Sequence, residues 1–356
     1  MNKLSALREK MEQNGFDAIL VTSEINQRYL SGFHFSDGLI IVFLNKAFLL
    51  TDFRYYEAAT AKSDPDFEVV MPESKFEFID KVFVEQQVKN VGFEGDSLSY
   101  QQYVAYSKRF NYVNFMPVGD AFSRMRSIKD ADEIEKIKRA QEITDAAFEL
   151  LLKGLTVKMT EREVALELDY LMRKLGADDV AFETIAVSGD ASAIPHGTAR
   201  DVRLKRGFLT MDFGAKFDGY CADMTRTVII GKADAEIKKL YNTVLLAQKS
   251  ALEYLREGAD AGEADKIARD IIDSIPEYRG AFGHSLGHSV GLEVHESPNL
   301  SRRSFGCKLQ SGVITSVEPG IYLTGKYGCR IEDLVLIEKD GIFNFTHSSK
   351  ELIEIY

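Results

Sequence analysis

The feature that most constrains the fold is a pair of acids inside an apolar hairpin pattern. Asp212 lies near the end of one strand-like run, and Asp223 lies in the run that returns after a short turn. Side chains in a strand repeat every second residue, so both acids share one face of the predicted hairpin. A four-residue loop would place Asp212 directly opposite Asp223. A two-residue turn at Asp218-Gly219 would instead place Asp212 opposite Thr225 and diagonal to Asp223.

A second pair of acids repeats this arrangement later in the chain. Glu318 ends an apolar run just before a Pro-Gly step, and Glu332 lies at an even spacing in the return run. Like charges in apolar strands are destabilising unless a cation joins them. Four buried carboxylates carry about four negative charges, which two divalent cations would neutralise. The sequence therefore predicts that the two hairpins share a pair of metal ions.

The patterns around these hairpins divide the chain into two domains. Apolar runs at 18–21 and 39–43 alternate with helical patterns and predict an α/β domain over residues 1–125. A polar, basic stretch follows, and the capping box Asp130-x-x-Glu133 then opens a new helix. We place the boundary there, so that the second domain comprises residues 126–356.

The second domain has the pattern of an α+β fold. Capping signals begin helices at Thr160-x-x-Glu163 and Asp260-x-x-Glu263, and another helix is predicted from about Asp234 to Gly258. Strand-like runs lie between and after these helices, at 208–213, 220–230, 313–317 and 330–337. Helices and an antiparallel sheet thus alternate in two similar passes, each with one acid-bearing pair of strands.

Charge and cysteine usage exclude several classes of function. The chain has 44 Lys and Arg against 55 Asp and Glu, a net charge of −11, so we expect no nucleic-acid partner. The three cysteines show no C-x-x-C spacing, which argues against a disulfide framework or a structural zinc site and favours the cytoplasm. The longest apolar stretch, 39–44, is too short to span a bilayer, and the N-terminus lacks a signal-peptide pattern, so no membrane association is expected.

Histidines cluster near the second pair of acids. Three of the six, His284, His288 and His295, lie within twelve residues, and His196 precedes a glycine earlier in the domain. Glycines between the clustered histidines argue against a helix, and there is no H-E-x-x-H order. The histidines therefore indicate a metal site other than the helical zinc site of zincins.

The motifs around these residues resemble those of the pita-bread (M24) metallopeptidases, in particular the Xaa-Pro dipeptidases and aminopeptidases P. The matching contexts are D-F-G-A, D-x-T-R-T, G-H, E-P-G-I-Y and R-I-E-D, and the stretches 26–33 and 50–55 resemble the creatinase-type N-terminal domain. The resemblance implies an α/β N-terminal domain with a mixed sheet, followed by an α+β pita-bread domain with a curved antiparallel sheet. It implies five metal ligands: Asp212, Asp223, His288, Glu318 and Glu332.

The same resemblance gives roles to residues around the ligands. It assigns His196 and His295 to substrate contact and to stabilisation of the tetrahedral intermediate, and it places Arg330 and Tyr322 around the ligands. We interpret His284 as a residue that packs beside the ligands or faces the substrate. The family also implies a homodimer.

The expected reaction is hydrolysis of the peptide bond before proline, in peptides with proline at the second position. A hydroxide bridging the two ions would attack the carbonyl, Glu318 would shuttle the proton and His295 would donate to the oxyanion. Oxygen-rich ligands with one imidazole favour Mn²⁺, with Co²⁺, Fe²⁺ or Zn²⁺ as substitutes.

Other functions stay open at this point. A methionine aminopeptidase would share the catalytic fold and ligands but usually lacks the N-terminal domain. Creatinase and non-catalytic pita-bread binding modules generally lack the metal ligands that this chain retains. The choice between free dipeptides and longer peptides is also open, and Arg302 or Arg303 is a candidate to hold a dipeptide carboxylate because both follow the His295 motif.

Overall fold

The structure, a computed structural model, describes residues 2–356. The chain separates into two compact units, Met1–Arg126 and Ser127–Tyr356. Within the described residues, no helix is both long enough and apolar enough to cross a membrane.

The N-terminal unit is an α/β domain built on one mixed sheet. Its elements are α1 (Lys3–Asn14), β1 (Ala18–Val21), α2 (Glu24–Ser31), β2 (Leu39–Phe43), β3 (Ala47–Leu50), α3 (Tyr56–Lys62), β4 (Phe67–Val70), α4 (Lys75–Glu85), β5 (Asn90–Phe93), α5 (Tyr100–Arg109), β6 (Asn114–Pro117) and α6 (Ala121–Ser127). The strand order is β4-β3-β2-β1-β5-β6. β2 is antiparallel to both β1 and β3, whereas the other neighbouring pairs are parallel. The predicted α/β class with a mixed sheet is confirmed.

Complete burial of the central strands explains why they read as continuous apolar runs. Every residue of β1, β2 and β3 is buried, because helices cover both faces of the sheet. Aromatic side chains of α4 and of the loop after α5, Phe83 and Phe110, are fully buried among these strands.

The C-terminal unit alternates helices with short strands. Its elements are α7 (Ala131–Gly154), α8 (Glu161–Lys174), β7 (Asp179–Val180), β8 (Ile185–Ser188), a 3₁₀ turn (Gly189–Ala193), β9 (Gly207–Phe213), β10 (Ala215–Phe217), β11 (Tyr220–Cys221), β12 (Met224–Ile230), α9 (Ala235–Tyr254), α10 (Ala261–Asp273), a second 3₁₀ turn (Pro276–Tyr278), β13 (Gly287–Ser289), β14 (Glu296–Leu300), β15 (Ile314–Val317), β16 (Gly320–Leu323), β17 (Tyr327–Arg330), β18 (Asp333–Glu338), β19 (Gly341–Asn344) and β20 (Glu354–Ile355).

The predicted helix starts are confirmed by their caps. Asp130 and Thr160 each form a complete capping box, and Asp260 accepts hydrogen bonds from the first-turn amides of α10. The helix predicted to reach Gly258 ends earlier, at Tyr254, because Leu255 adopts an extended conformation.

The register of the first hairpin resolves the alternative left open by the sequence. β9 pairs with β12 so that Asp212 lies opposite Thr225, and the β10–β11 pairing continues the same register to a two-residue turn. Asp218 and Gly219 occupy that turn with φ angles of 43° and 78°, the left-handed values that a type I′ turn requires. The two-residue alternative is therefore confirmed, and the four-residue loop is wrong.

The second hairpin has a different register. β15 pairs with β18 through Val317 and Asp333, and β16 pairs with β17 through Gly320 and Arg330, which places Glu318 and Glu332 opposite each other. The connection between β16 and β17 has three residues, 324–326. The three-residue connection places Glu318 and Glu332, which are 14 residues apart, directly opposite each other, whereas the two-residue turn leaves Asp212 and Asp223, which are 11 residues apart, diagonal.

Both hairpins are interrupted where the acids lie, and here the predicted continuous strands were wrong. The return runs break before Met224 and before Asp333, so that each hairpin leaves one sheet and enters another. At the first break a Cβ on Gly214 would lie 2.0 Å from the carbonyl oxygen of Ala222, so only glycine fits. At the second break the Glu332 amide donates to the Thr225 carbonyl at 3.1 Å, which joins the two hairpins.

Two apolar cores hold the hairpins in place. α7 and α8 pack on one face of β9 and β12, whose alternate residues Leu209, Met211 and Val228 enter that core. α9 and α10 form a second core with Val317 and Val335 of the second hairpin. Within the unit all strand pairs are antiparallel except β12 with β20. The predicted α+β pita-bread class is confirmed.

Candidate active site

A cavity of about 480 Å³ in the C-terminal unit gathers the residues singled out in the sequence. Its lining includes the five predicted ligands and three of the predicted histidines: Asp212, Asp223, His288, Glu318, Glu332, His196, His284 and His295. Arg330 also lines the cavity. Tyr322 lies behind the surface and hydrogen-bonds to both His284 and Arg330. The fold thus brings together residues that are more than a hundred positions apart in sequence.

Three of the predicted ligands form a compact group. One donor atom each from Asp223, His288 and Glu332 lies within 4.8 Å of the others, a spacing that could hold a metal ion. The His288 Nε2 atom lies 3.6 Å from Asp223 Oδ2 and 3.3 Å from Glu318 Oε1. One imidazole nitrogen therefore faces two carboxylates that come from different hairpins.

Two carboxylate oxygens of the five predicted ligands have no hydrogen-bond partner. Asp212 Oδ1 and Glu332 Oε1 are buried and make no hydrogen bond within the described residues. An unsatisfied buried charge is costly, and a divalent cation is the partner that such oxygens favour. The orphaned oxygens therefore fit the metal ions that the sequence predicts.

The electrostatics of the four acids are uneven. Burial, followed by the charges of neighbouring carboxylates, raises the pKa of Asp223 and Glu332 well above their usual values. Burial also raises the pKa of Asp212, although the Arg330 guanidinium at 2.6 Å opposes the shift. For Glu318 burial is outweighed by the His288 hydrogen bond and charge, which lower its pKa to about 2. Proton or metal binding is thus most favoured at Asp223 and Glu332.

The backbone sets the orientation of His288. Its Nδ1 atom lies 3.3 Å from the Ser289 carbonyl oxygen, which can only accept, so Nδ1 carries the proton. In the metal-free chain the Glu318 hydrogen bond and charge outweigh burial and raise the pKa of His288, so the ring pairs with Glu318 as a cation. With a metal bound the ring would be neutral, and its Nε2 lone pair would face the ion. A hydrogen bond from the remote ring nitrogen is the usual way in which a metal-binding histidine is oriented.

Arg330 organises one wall of the cavity. Its guanidinium donates to Asp212 Oδ2, to the Tyr322 hydroxyl at 2.7 Å and to the Pro195 carbonyl. Because Tyr322 accepts from Arg330, its own proton is available to His284 Nε2 at 3.0 Å. Burial raises the pKa of Tyr322 to about 12 and lowers that of His284, so both side chains are uncharged at neutral pH.

Comparison with known proteins identifies the family that uses this arrangement. The model of metallopeptidase family M24 matches residues 135–339, and the Creatinase/Prolidase N-terminal domain model matches residues 3–128. The chain is 40% identical over 353 residues to the uncharacterized peptidase YqhT of Bacillus subtilis, with 99% of each chain covered. The chain belongs to metallopeptidase family M24.

Solved structures give the same relationship for the whole chain. A protein described as an Xaa-Pro dipeptidase from Bacillus anthracis is 38% identical, with a TM-score of 0.95 and 99% of each chain covered. A protein described as an X-Pro aminopeptidase from Thermotoga maritima is 37% identical, with a TM-score of 0.91 and 100% of each chain covered. The predicted membership of a family of metal-dependent hydrolases is confirmed.

One residue of this M24 site, Thr225, was not predicted from the sequence. The Thr225 hydroxyl donates to Glu332 Oε2 at 2.7 Å and accepts from Arg330 Nε at 2.9 Å. It thus joins the first hairpin to an acid of the second. The two-residue turn alternative already placed Thr225 opposite Asp212, and that register was the available signal.

Of the remaining predicted residues, the two histidines line the cavity and the two arginines do not. His196 and His295 line the cavity, and the His295 ring centroid lies 4.2 Å from that of His288. Burial, together with the His288 charge, lowers the pKa of His295, so its ring is neutral at neutral pH. Arg302 and Arg303 are exposed and do not line the cavity, so the C-terminal unit alone gives no support for a carboxylate contact there.

Proposed function

We propose that this M24 protein hydrolyses the peptide bond before proline, as an Xaa-Pro dipeptidase or an Xaa-Pro aminopeptidase. The full-length similarity to proteins described by these two activities supports the reaction class. The observation that carries the proposal is the convergence of five predicted ligands on one cavity, where two carboxylate oxygens are buried without a partner.

We propose two divalent cations as the cofactor, held by Asp212, Asp223, His288, Glu318 and Glu332. Four carboxylates and one neutral imidazole favour Mn²⁺, and Co²⁺, Fe²⁺ or Zn²⁺ are alternatives of similar charge. When bound, such ions supply Lewis acidity and lower the pKa of a coordinated water.

Three side chains of the cavity have proposed roles in proton transfer, oxyanion stabilisation and substrate binding. Glu318 lines the cavity beside His288, and it is the proposed acceptor of the proton of the nucleophilic water. His295 is the proposed donor to the oxygen of the scissile carbonyl as negative charge develops there. His196, which also lines the cavity, is proposed to contact the substrate.

The wall formed by Arg330 has a positioning role in this proposal. Arg330 holds Asp212 by a charge-assisted hydrogen bond, and its contact with Tyr322 keeps the His284 ring in one orientation. His284 lines the cavity and therefore faces the substrate with an immobilised ring. Ordering these groups before the substrate arrives reduces the entropy that the reaction must lose.

Part of the cavity lining is apolar, which suits a proline ring. Phe182, Ile185 and Val294 give part of its lining an apolar character. The bond before proline is a tertiary amide without an N–H, so an enzyme that recognises it depends on ring shape rather than on that hydrogen bond. The apolar part of the lining is the proposed proline contact.

We also propose that the protein is a cytoplasmic homodimer, with domains that correspond to residues 1–125 and 126–356. Within residues 2–356 none of the three cysteines forms a disulfide bond, which is consistent with a reducing compartment. Light scattering coupled to size-exclusion chromatography tests the dimer.

Steady-state kinetics test the reaction. The protein is stripped of metal with a chelator, reconstituted with Mn²⁺, Co²⁺ or Zn²⁺, and assayed on Ala-Pro, Ala-Pro-Ala and Ala-Ala. We expect hydrolysis of at least one proline substrate, no hydrolysis of Ala-Ala, and loss of activity after chelation. Failure to hydrolyse either proline substrate with any of the three metals would contradict the proposal.

The other candidate functions are less consistent with the structure. A methionine aminopeptidase is disfavoured by the N-terminal unit, which matches the Creatinase/Prolidase domain model. A non-catalytic binding module is disfavoured because the ligand set is complete and its side chains converge.

A further inference from the structure

A buried ion pair lies directly beside the candidate site. Lys129 Nζ lies 3.1 Å from Glu296 Oε2, and the two side chains are only 1% and 4% exposed. Removing two charges from water is costly, and a well-packed apolar pair of similar volume would often be at least as stable. Such a pair therefore calls for a role other than stability.

Lys129 is fixed at its backbone. Its amide donates to the Gly312 carbonyl at 2.9 Å, and the next residue, Asp130, is the N-cap of α7. Lys129 also lies outside both family matches, which end at 128 and begin again at 135. The backbone around Lys129 is therefore held in place, and its ammonium group lies next to the loop that precedes β14.

Glu296 holds that loop. Its Oε1 atom accepts from the Glu293 amide at 3.3 Å, while Oε2 accepts from Lys129. The carboxylate also fills the space beside Gly291, where a Cβ would lie 2.6 Å from Oε2. Gly291 in turn accepts a hydrogen bond from the Cys221 amide, two residues before Asp223. The carboxylate therefore connects the loop to the first hairpin.

His295 depends on this anchorage. It is the residue immediately before Glu296, and no hydrogen bond to its ring is made within residues 2–356. Because its ring makes no hydrogen bond there and packs against the His288 ring, with centroids 4.2 Å apart, its position depends on the backbone that carries it. The backbone on its C-terminal side is held by Glu296, whose β14 position lies opposite Ser289, next to His288.

We propose that the Lys129–Glu296 ion pair is a positioning device that holds His295 over the candidate metal site. The inference rests on the proposed function, in which His295 donates to the developing oxyanion. Because that interaction strengthens only in the transition state, loss of the ion pair lowers kcat more than it changes KM. Neither Lys129 nor Glu296 touches the substrate in this proposal.

The first test replaces the cation. For Lys129→Met in the Mn²⁺-loaded protein, we expect kcat for the better proline dipeptide or tripeptide to fall at least about tenfold, against 10² to 10³ for loss of a whole oxyanion donor. KM and the affinity for Mn²⁺, measured by titration calorimetry, should stay within threefold. The matched control is Leu168→Ala, which destabilises the buried face of α8 and should leave kcat near that of the wild type at 25 °C.

A readout independent of activity follows the ring itself. The chain has six histidines, so the ring signals of the metal-free protein labelled with ¹⁵N-histidine can be assigned one by one by substitution. We expect the His295 signals to shift or broaden in Lys129→Met, while those of His347 stay unchanged. This measurement remains decisive on positioning even if the wild type fails to hydrolyse Xaa-Pro substrates, which would overturn the proposed function instead.

The double variant Lys129→Met/Glu296→Leu separates stability from positioning. An apolar pair should restore most of the thermal stability, but it cannot accept from the Glu293 amide. We therefore expect a thermal midpoint near that of the wild type together with a kcat that stays low. A double variant with wild-type kcat would show that the ion pair is only structural, and would overturn the proposal.

If Lys129→Met fails to fold, Glu296→Gln tests the same ion pair. The amide keeps an acceptor for the Glu293 N–H but removes the charge, so the same changes in kcat and in the His295 signals are expected in weaker form. Wild-type kcat and unchanged His295 signals in whichever single variant folds would overturn the proposal.

Discussion

The two acid-bearing hairpins look alike in sequence, yet they present their acids differently. In the first, a two-residue turn sets Asp212 diagonal to Asp223, and in the second a three-residue connection sets Glu318 opposite Glu332. The shorter aspartates lie offset, and the longer glutamates lie face to face. The comparison teaches that turn length, which changes register by single residues, determines how four carboxylates can reach a common centre.

Within each hairpin one acid is compensated by the protein and the other is not. Arg330 pairs with Asp212 and His288 pairs with Glu318, whereas Asp223 and Glu332 carry the strongest upward pKa shifts. The uncompensated acids come from different hairpins and belong to the same compact group. Charge compensation is therefore left incomplete where the two hairpins meet, which is where a cation contributes most.

The largest effect is expected when one of the two uncompensated acids, Asp223, is replaced. Asp223→Ala should lower kcat/KM by at least about 10³, because catalytic groups that act as a unit are strongly non-additive. Metal content by mass spectrometry should fall from two ions per chain to one or fewer. Asp218→Asn in the turn of the same hairpin is the matched control, since its exposed pair with Lys136 adds little. Full activity in Asp223→Ala would refute the ligand assignment.

The next largest effect is expected when Arg330, the cation that pairs with Asp212 of the first hairpin, is replaced. Arg330→Met leaves Asp212 buried without its cation, which should cost about 3–5 kcal/mol of unfolding free energy in the metal-free protein. Urea unfolding followed by circular dichroism measures this loss. Arg330→Lys should recover only part of it, because an ammonium cannot reproduce the separate contacts with Thr225, Tyr322 and Asp212. Complete recovery would show that charge alone matters.

The sequence predicted the parts of this site that local patterns encode. The caps at Asp130, Thr160 and Asp260 depend on neighbours a few residues away, and strand alternation places each pair of acids on one face, so these predictions hold. The placement of His288 came from a family motif. Such a motif records a spatial arrangement that no spacing rule yields.

Long-range pairing explains what the sequence did not reveal. The strand break before Met224 lies at the close approach of Gly214 to Ala222. The break before Asp333 lies at the backbone hydrogen bond from Glu332 to Thr225 of the other hairpin, while the apolar pattern continues through both breaks. Thr225 and the Lys129–Glu296 pair act across separations of 107 and 167 residues. Partners at such distances leave no periodicity in the chain.

A smaller effect is expected on the stability of the metal-free protein, and it has opposite signs for the two glutamates of the second hairpin. In chelated protein Glu332→Gln should raise stability by about 1–2 kcal/mol, because it removes a charge from an uncompensated group while keeping an acceptor for Thr225. Glu318→Gln should lower stability, because ionised Glu318 is paired with His288. Thermal unfolding of both variants checks this contrast. A loss of stability in both would mean that the group is already compensated without metal.

The pH dependence sharpens the same contrast. Folded Asp223 and Glu332 have raised pKa values, so the folded protein binds more protons than the unfolded chain above the ordinary carboxyl pKa of about 4. Metal-free stability from these groups should therefore fall as pH rises from about 5 to 7, by at most about 1.4 kcal/mol per group and pH unit. Thermal midpoints of chelated wild type and Glu332→Gln should converge towards pH 5. Parallel curves would contradict the assignment.

The smallest effect concerns the turn that sets the first register. Gly219→Ala places a Cβ at φ 78°, which should cost about 1 kcal/mol. Gly325→Ala in the second hairpin, at φ 75°, is the matched control and should cost the same. Activity should be retained in both, because alanine leaves the turn at two residues and the ladder from Gly207–Ile230 to Phe213–Met224 then holds Asp212 in the same register. If Gly219→Ala alone lowered kcat, the turn would be holding the register that the ladder is expected to hold, and the offset of the aspartates would depend on two residues.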